Sequence, residues 1–424
     1  FALTRPLPHP LLLLFLCPLL APVLVEGLDN GLARRPTLGW NTWMTCDDTA
    51  CVHDQCSEKM VKEAANAMIE NGMQAMGYNY VNLDDCWADI RNETDGSLRW
   101  DPKRFPSGIP ALVNWLHAKG FKFGLYTSAG NMTCSSGGRP YKIPGSEGHY
   151  EQDAKTFASW GVDFVKLDWC GDYKKMPLKG PKAHKDFAKA MNESGRTMFL
   201  DVVAGYFFLG RSITDYSNSW RFCEDHHDSW SSVKEQVLCR LDQKLLGVRG
   251  APGGWANMDF LQTGGKGCDT PLSHCPQMTD AEYRTEFSIW SITQSPLIVD
   301  TDVRNLTGIM KSALLNKEII DIHQSTETPP GDFIDFHLCS EPEVCFIWGR
   351  KLSNTSWLIA LSNFSTKNET HKIRADFSHF GWGKDIRATA RDLWAHKDLG
   401  QTPAGYFESD VRSHDTVMVV LNSL

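Results

Sequence analysis

The chain has 424 residues, 42% of them hydrophobic, and a formal net charge of -8. That length supports a large core and more than one ordinary domain. The acidic balance, with no basic run, argues against nucleic acid as a partner.

The first segment reads RPLPHPLLLLFLCPLLAPVLVEGLDNGL: Arg5, an apolar stretch from Leu11 to Val25, then the small residue Gly27. This has the form of a secretory signal peptide over residues 1–27. It is too short, and too broken by Pro18 and Pro22, for a spanning helix. No later stretch is apolar enough to span a bilayer, so no membrane span is expected after cleavage. Setting Cys17 aside leaves an even twelve of the 13 cysteines. Cysteines pair in an oxidising compartment, and local spacing suggests Cys51–Cys56, Cys268–Cys275 and Cys339–Cys345. Asn-x-Ser/Thr sequons at Asn92, Asn131, Asn192, Asn305, Asn354, Asn363 and Asn368 predict glycosylation at several. There is no CxxC pair and no HExxH, so no metal site is expected.

From Leu28 to about Asp321, short apolar runs alternate with amphipathic ones. TLGWNTW, YNYVNLDD, FKFGLYT, DFVKLD, TMFLDVV, NSWRFCED, WANMDFL and SPLIVDTD predict strands. Helices are predicted over Ser57–Asn71, Ile109–Lys119, Tyr150–Trp160, Lys182–Met191, Ser229–Leu246 and Asp280–Thr293. Eight strands with intervening helices over roughly 300 residues fit a (β/α)8 TIM barrel, which typically takes ~250. An open doubly wound α/β sheet is the alternative, weakened because no GxGxxG run follows the first strand. Past HQSTETPPGD the helical periodicity stops. VCFIWGR, SWLIALSN, HKIRADF, IRATARDLW and TVMVVLN then alternate between turn residues and predict a C-terminal antiparallel β-sandwich. These readings place a barrel at residues 28–327 and a sandwich at residues 328–424.

Several predicted strands end in aspartate: Asp84 and Asp85, Asp168, Asp225 and Asp228, and Asp259. A lone strand-end Asp commonly caps the next helix. In a barrel, however, the strand ends converge on one mouth, where residues distant in sequence face one ligand. Like charges so gathered raise one another's pKa and need a reason to coexist. Hard metals favour dense Asp/Asn/Glu sets, and no EF-hand pattern is present. Glycoside hydrolysis uses two carboxyls, one as nucleophile or base and one as general acid. Further carboxylates accept from sugar hydroxyls. Trp40, Trp43, Trp87, Tyr126 and Trp169, near strand ends, offer faces for a sugar ring. The residues read as a carbohydrate-active barrel.

The runs LDNGLARRPTLGWNTW, NLDDCWA, RFPSGIPAL, GLYTSAGNMTC, PGSEGHYEQDAKTFASWGVDFVKLDWC, APGGWANMDFL and SPLIVDTDVRNLT closely resemble glycoside hydrolase family 27. These are the α-galactosidases and α-N-acetylgalactosaminidases, and RDLWAHKDLG in the tail resembles the family's β-sandwich. The resemblance covers nearly all of the chain after residue 27, in order. It implies a retaining hydrolase of terminal α-D-galactosyl residues, with no cofactor. By motif match the nucleophile falls on Asp168 and the acid/base on Asp225. Lys166 matches a sugar-binding lysine that would keep Asp168 ionised. Asp84 and Asp85 match the pair holding the 4- and 6-hydroxyls, and Trp43 and Tyr126 the aromatic wall. Arg221 matches a residue near the 2-position, and Asp259 a further sugar-side carboxylate. Cys134–Cys170 and Cys46–Cys86 match bridges beside the site. An acid optimum, as in lysosomal relatives, would require the pKa of Asp225 to lie above that of Asp168. The resemblance allows a homodimer and a lysosomal, vacuolar or extracellular destination.

One loop departs from the family. After the fifth strand the α-galactosidases carry a Cys-Glu-Trp or similar run, and the α-N-acetylgalactosaminidases carry Ser and Ala. This chain reads FLDVVAGYFF. Val203 stands near the Glu/Ser position and Tyr206 near the Leu/Ala position, while Val202 replaces the loop cysteine. Cys223 is offered Cys239 as a partner instead. Val203 accepts nothing from a hydroxyl, which admits an α-N-acetylgalactosaminidase or a β-L-arabinopyranosidase as alternatives. A lectin-like binder ranks last, because both catalytic carboxylates are retained. His226 and His227 after the acid/base read either as a pH-tuning pair or as a solvent-facing or cap-region pair.

Overall fold

The computed structural model describes residues 28–45, 56–135, 142–171, 179–203, 211–245, 249–267, 274–340 and 343–424. The expected signal peptide lies outside the described residues. Among them, no helix is long and apolar enough to cross a membrane.

Eight short strands form the centre: β1 (Leu38–Asn41), β2 (Tyr80–Leu83), β3 (Lys122–Ser128), β4 (Phe164–Asp168), β5 (Phe199–Val202), β6 (Ser219–Arg221), β7 (Trp255–Asn257) and β8 (Leu297–Val299). They pair in parallel in the order β8-β1-β2-β3-β4-β5-β6-β7. A parallel bridge between Leu261 and Val299 closes the ring. All eight strands expected from the sequence are present, and the TIM-barrel reading holds. Apart from Lys122 and Asp168 at strand ends, the strands are buried, as parallel strands covered on both faces are, which is why they read as near-continuous apolar runs.

The surrounding helices are α1 (Glu58–Glu70), α2 (Ile109–Ala118), α3 (Tyr150–Trp160), α4 (Gly180–Asn192), α5 (Trp230–Leu245), α6 (Asp280–Ile292), α7 (Gly308–Leu314) and α8 (Lys317–Gln324). α1 starts where the Ser57 hydroxyl accepts from the Met60 N–H. It buries Met60, Val61, Ala64, Ala65 and Met68, the inward stripe of a 3.6-residue period. α6 opens with a capping box between Thr279 and Glu282 and is buried from Glu282 to Ile292 except at Arg284. Between β5 and β6 the described residues hold a 3-10 turn, Arg211–Asp215, rather than a helix. α7 and α8 escaped the sequence reading, since seven and eight residues give too few turns for a period to show.

Beyond α8 lies a six-stranded antiparallel sheet, ordered Asp332–Ser340, Glu343–Lys351, Ser356–Asn363, Thr416–Ser423, Ala388–Asp392, Lys397–Gln401. A two-stranded sheet, His371–Asp376 with Tyr406–Val411, completes the sandwich. Alternation sends the large sheet's side chains two ways. Cys345, Ile347, Ile359 and Leu361 share a core with Ile373 and Phe407. Phe346, Trp348, Leu358 and Ala360 join the barrel's core with Phe287 and Trp290 of α6. α6 is therefore packed on both sides, which explains its burial. The strand Lys397–Gln401 is exposed at every position and carries no alternation to read.

Candidate active site

The C-terminal ends of the barrel strands surround a cavity of about 560 Å3. Trp43, Asp84, Tyr126, Lys166, Asp168, Val203, Arg221, Asp225 and Asp259 all line it. Of the residues expected to bind or react, Asp85 does not line it, and Tyr206 lies outside the described residues. The register explains the convergence. Tyr126 stands opposite Lys166, and Ser128 opposite Asp168, on neighbouring strands.

The carboxylates coexist because two buried cations are threaded among them. Lys166 Nζ donates to Asp84 Oδ2 at 2.7 Å, and Asn41 Nδ2 donates to the same oxygen at 2.8 Å. Burial alone would lower the Lys166 ammonium, but Asp84, Asp168 and Asp259 outweigh it and hold it at about 12. Its charge sits 4.6 Å from the Phe260 ring centroid, 5.2 Å from Tyr126 and 5.9 Å from Trp43, so aromatic faces wall the cation. Arg221 Nη2 reaches Asp225 Oδ1 at 2.7 Å and Asp259 Oδ2 at 3.3 Å.

Asp168 ends β4. Its Oδ1 accepts the Trp169 N–H at 2.7 Å and its Oδ2 the Tyr126 hydroxyl at 2.8 Å. Burial raises its pKa, and Lys166, the Trp169 N–H and Tyr126 work against that rise. Cys134 and Cys170 are joined beside it. Gly130 is required there, because a Cβ would run into the Cys170 carbonyl. Asp168, Cys134 and Cys170 cluster closely enough to suggest a metal site. The two sulfurs are bonded to each other, however, and offer no thiolate.

Asp225 sits at the rim with its side chain 72% exposed. The Arg221 guanidinium holds its carboxyl below the usual range, against the effect of burial. This reverses the expected order: Asp168, not Asp225, is shifted upward. Arg221 is the neighbour that decides the direction for Asp225.

Asp85 is buried outside the cavity. Its Oδ1 accepts the Cys86 N–H at 2.6 Å and its Oδ2 the Ser135 N–H at 2.9 Å. Burial pushes its pKa up to about 7. Asp259 adopts φ 74 and Cys86 φ 80, strained values for residues other than glycine, at the ends of β7 and β2. Asp228 ties the loop after β6 to its neighbours, accepting the Tyr283 hydroxyl at 2.7 Å and the Gln277 N–H at 3.1 Å. His226 is buried and His227 exposed, so the two histidines are not a pair in kind.

Cys223 and Cys239 are bonded, pinning the β6 loop to α5. Cys56, Cys86, Cys275 and Cys345 are each disulfide-bonded. The partners expected for them, Cys51, Cys46, Cys268 and Cys339, have no described side chains. Among the sequons, Asn131, Asn192, Asn305, Asn354 and Asn368 are exposed. Asn363 is an exception to the glycosylation expectation. It is fully buried, and its Nδ2 donates to the carbonyls of Glu369 and Val411, both at 3.0 Å.

Two functional candidates escaped the sequence reading. Asp300 lines the cavity just after β8. Gln262 Nε2 donates to its Oδ2 at 3.1 Å. Burial first, then Asp259, raises its pKa well above the usual carboxylate range. The strand-end rule would have found it, since SPLIVDTD was a predicted strand. Glu286, buried on α6 behind the site, carried no such signal.

The sequence profile described as Alpha galactosidase A matches residues 35–325. That described as Alpha galactosidase C-terminal beta sandwich domain matches residues 345–421. The chain is 35% identical over 403 residues to an alpha-galactosidase of Oryza sativa subsp. japonica, covering 93% of this chain and 87% of that protein. It is 34% identical over 350 residues to alpha-galactosidase A of Homo sapiens, covering 80% and 76%. The crystal structure of alpha-galactosidase I from Mortierella vinacea superposes with a TM-score of 0.78 at 28% identity, covering 93% of this chain and 98% of that one.

Proposed function

The chain belongs to the alpha-galactosidase A family of glycoside hydrolases, and from that premise we propose that it releases terminal α-D-galactosyl residues with retention, through a covalent glycosyl-enzyme. The observation that carries this reading is Asp168, held deep in a cavity by Tyr126 and Trp169 and facing the Lys166 charge, with Asp225 across the same cavity at the rim. Asp168 attacks the anomeric carbon while Asp225 gives its proton to the departing glycosidic oxygen. Water then attacks the same carbon, Asp225 takes its proton, and Asp168 leaves as carboxylate. Asp84, Lys166, Arg221 and Asp259 bind sugar hydroxyls, and Trp43 and Tyr126 pack on the ring.

Asp225 must carry a proton that the neighbouring Arg221 disfavours. Substrate acts on that balance in two ways. It displaces water from the exposed carboxyl, and its hydroxyls compete for Arg221; each change raises the pKa. The secretory route is supported by the two described disulfides and by the exposed sequons. The homodimer allowed by the resemblance is tested by sedimentation.

The test is hydrolysis of aryl α-galactopyranoside, α-N-acetylgalactosaminide and β-L-arabinopyranoside by the wild type and by Asp168→Asn. A dominant α-galactoside rate, lost by several orders of magnitude in a variant that still binds galactose, is expected. Preference for either other sugar would overturn the substrate assignment, and an active Asp168→Asn would overturn the nucleophile.

A further inference from the structure

Behind the loop that carries Asp225 lies a buried polar pair that the reaction scheme leaves unused. The side chains of His226 and Glu286 are both 0% exposed. His226 Nε2 lies 3.0 Å from Glu286 Oε1, and its Nδ1 lies 2.9 Å from Ser232 Oγ. Ser232 Oγ also accepts the His227 N–H at 3.0 Å. A Glu286 carboxylate can only accept, so the Nε2 side of the ring is the donor in this pair. Glu286 Oε1 also accepts the Gln262 N–H at 2.7 Å, and its Oε2 accepts the Thr263 hydroxyl at 2.7 Å.

These partners belong to two loops. The loop after β6 carries Asp225 and His226, and Ser232 follows it in the first turn of α5. The loop after β7 carries Asp259, Phe260, Gln262 and Thr263. On the cavity side Arg221 ties the two together through Asp225 and Asp259. The His226 N–H adds a bond to Asp259 Oδ2 at 2.8 Å. From behind, Glu286 grips both loops through the three bonds just described. Trp290 completes the support, with its ring 5.0 Å from His226 and its Nε1–H donated to the Asp259 carbonyl at 2.8 Å. A carboxylate this buried is tolerated where its oxygens are satisfied, and satisfying them fixes the geometry of whatever supplies the donors.

Asp225 needs such support. Its side chain is 72% exposed, and the Arg221 contact it leans on has to be shared with substrate. We propose that His226 and Glu286 form a positioning dyad that holds the loop after β6, and so places the Asp225 carboxyl against the glycosidic oxygen. The dyad touches neither substrate nor reacting atoms. It acts through Asp225, and the inference rests on the reading of Asp225 as acid/base.

The experiment compares kcat/KM on two substrates that share the sugar. A dinitrophenyl α-galactoside has a leaving group that departs without a proton, and an alkyl α-galactoside needs one. Asp225→Ala, Glu286→Gln and His226→Gln are measured beside the wild type, with galactose inhibition as a check on the sugar site. Asp225→Ala is expected to lose about 10²- to 10⁴-fold more on the alkyl glycoside than on the dinitrophenyl one. The dyad variants are expected to show the same selectivity at about 10- to 100-fold, with galactose binding unchanged. Equal losses on both substrates, or no loss, would overturn the dyad. If Glu286→Gln fails to fold, His226→Gln, which keeps a donor toward Glu286, carries the same comparison. An Asp225→Ala variant without leaving-group dependence would sink the acid/base reading itself. A selective Asp225→Ala beside unselective dyad variants would sink the dyad alone.

Discussion

At the scale of single residues, charge balance governs the site. Lys166 opposes the effect of burial on Asp168, two positions along the same strand. Replacing it with methionine removes that opposition, so the pKa of Asp168 rises further. An attacking carboxylate must be ionised, and kcat/KM reports the free enzyme. The acidic limb of the kcat/KM–pH profile of Lys166→Met should therefore move to higher pH, together with a loss of rate. A limb that stays in place would remove Lys166 from this role and leave it as an anchor for Asp84. Asp85 shows the same balance without a cation beside it. Two backbone donors do not outweigh its burial, and its pKa is pushed up to about 7.

At the scale of elements, the end of β4 is held by more than its ladder. Ala129 N–H donates to the Asp168 carbonyl at 2.8 Å. The Ser128 hydroxyl accepts from the N–H groups of Gly130 and Cys170, both at 3.0 Å. The Cys134–Cys170 bridge then fastens the loop after β3 to the segment after β4, with Cα atoms 5.1 Å apart. Replacing both cysteines with alanine should lower stability by about 2–5 kcal/mol. It should also lower kcat, because Asp168, the proposed nucleophile, lies two residues from the bridge. Calorimetry measures the first effect, and turnover per folded molecule the second. A destabilised variant with unchanged turnover would make the bridge purely structural.

At the scale of the whole molecule, α6 joins the C-terminal sheet to the site. One side of it carries Glu286. Elsewhere along it, Arg284 Nε donates to Asp415 Oδ1 at 2.8 Å and Thr285 Oγ1 meets Thr416 Oγ1 at 2.8 Å. Glu282 Oε1 lies 2.6 Å from His414 Nδ1. The Trp394 indole N–H reaches Ser288 Oγ at 2.9 Å. One core cluster runs from the barrel into the sheet. Barrel and sheet should therefore unfold in a single transition, and Asp415→Ala should lower that transition's stability by about 1–3 kcal/mol without splitting it. Two resolved transitions in a calorimetric scan would refute the coupling.

The eight barrel strands and six principal helices were legible in the sequence because each depends on a local period: apolar runs for covered parallel strands, a 3.6-residue stripe for helices. That Asp168 and Asp225 line one cavity was legible from their places at predicted strand ends and in family motifs. The rest was settled by neighbours distant along the chain. Arg221 sets the charge of Asp225, Asn363 is buried under its own sheet, and Asp85 turns from the cavity to the backbone of Ser135. Glu286 meets His226 across a separation of 60 residues. Periodicity reports which face of an element is apolar. Burial and charge are sums over everything nearby in space, and those sums take their values only when the barrel closes and the C-terminal sheet packs against α6.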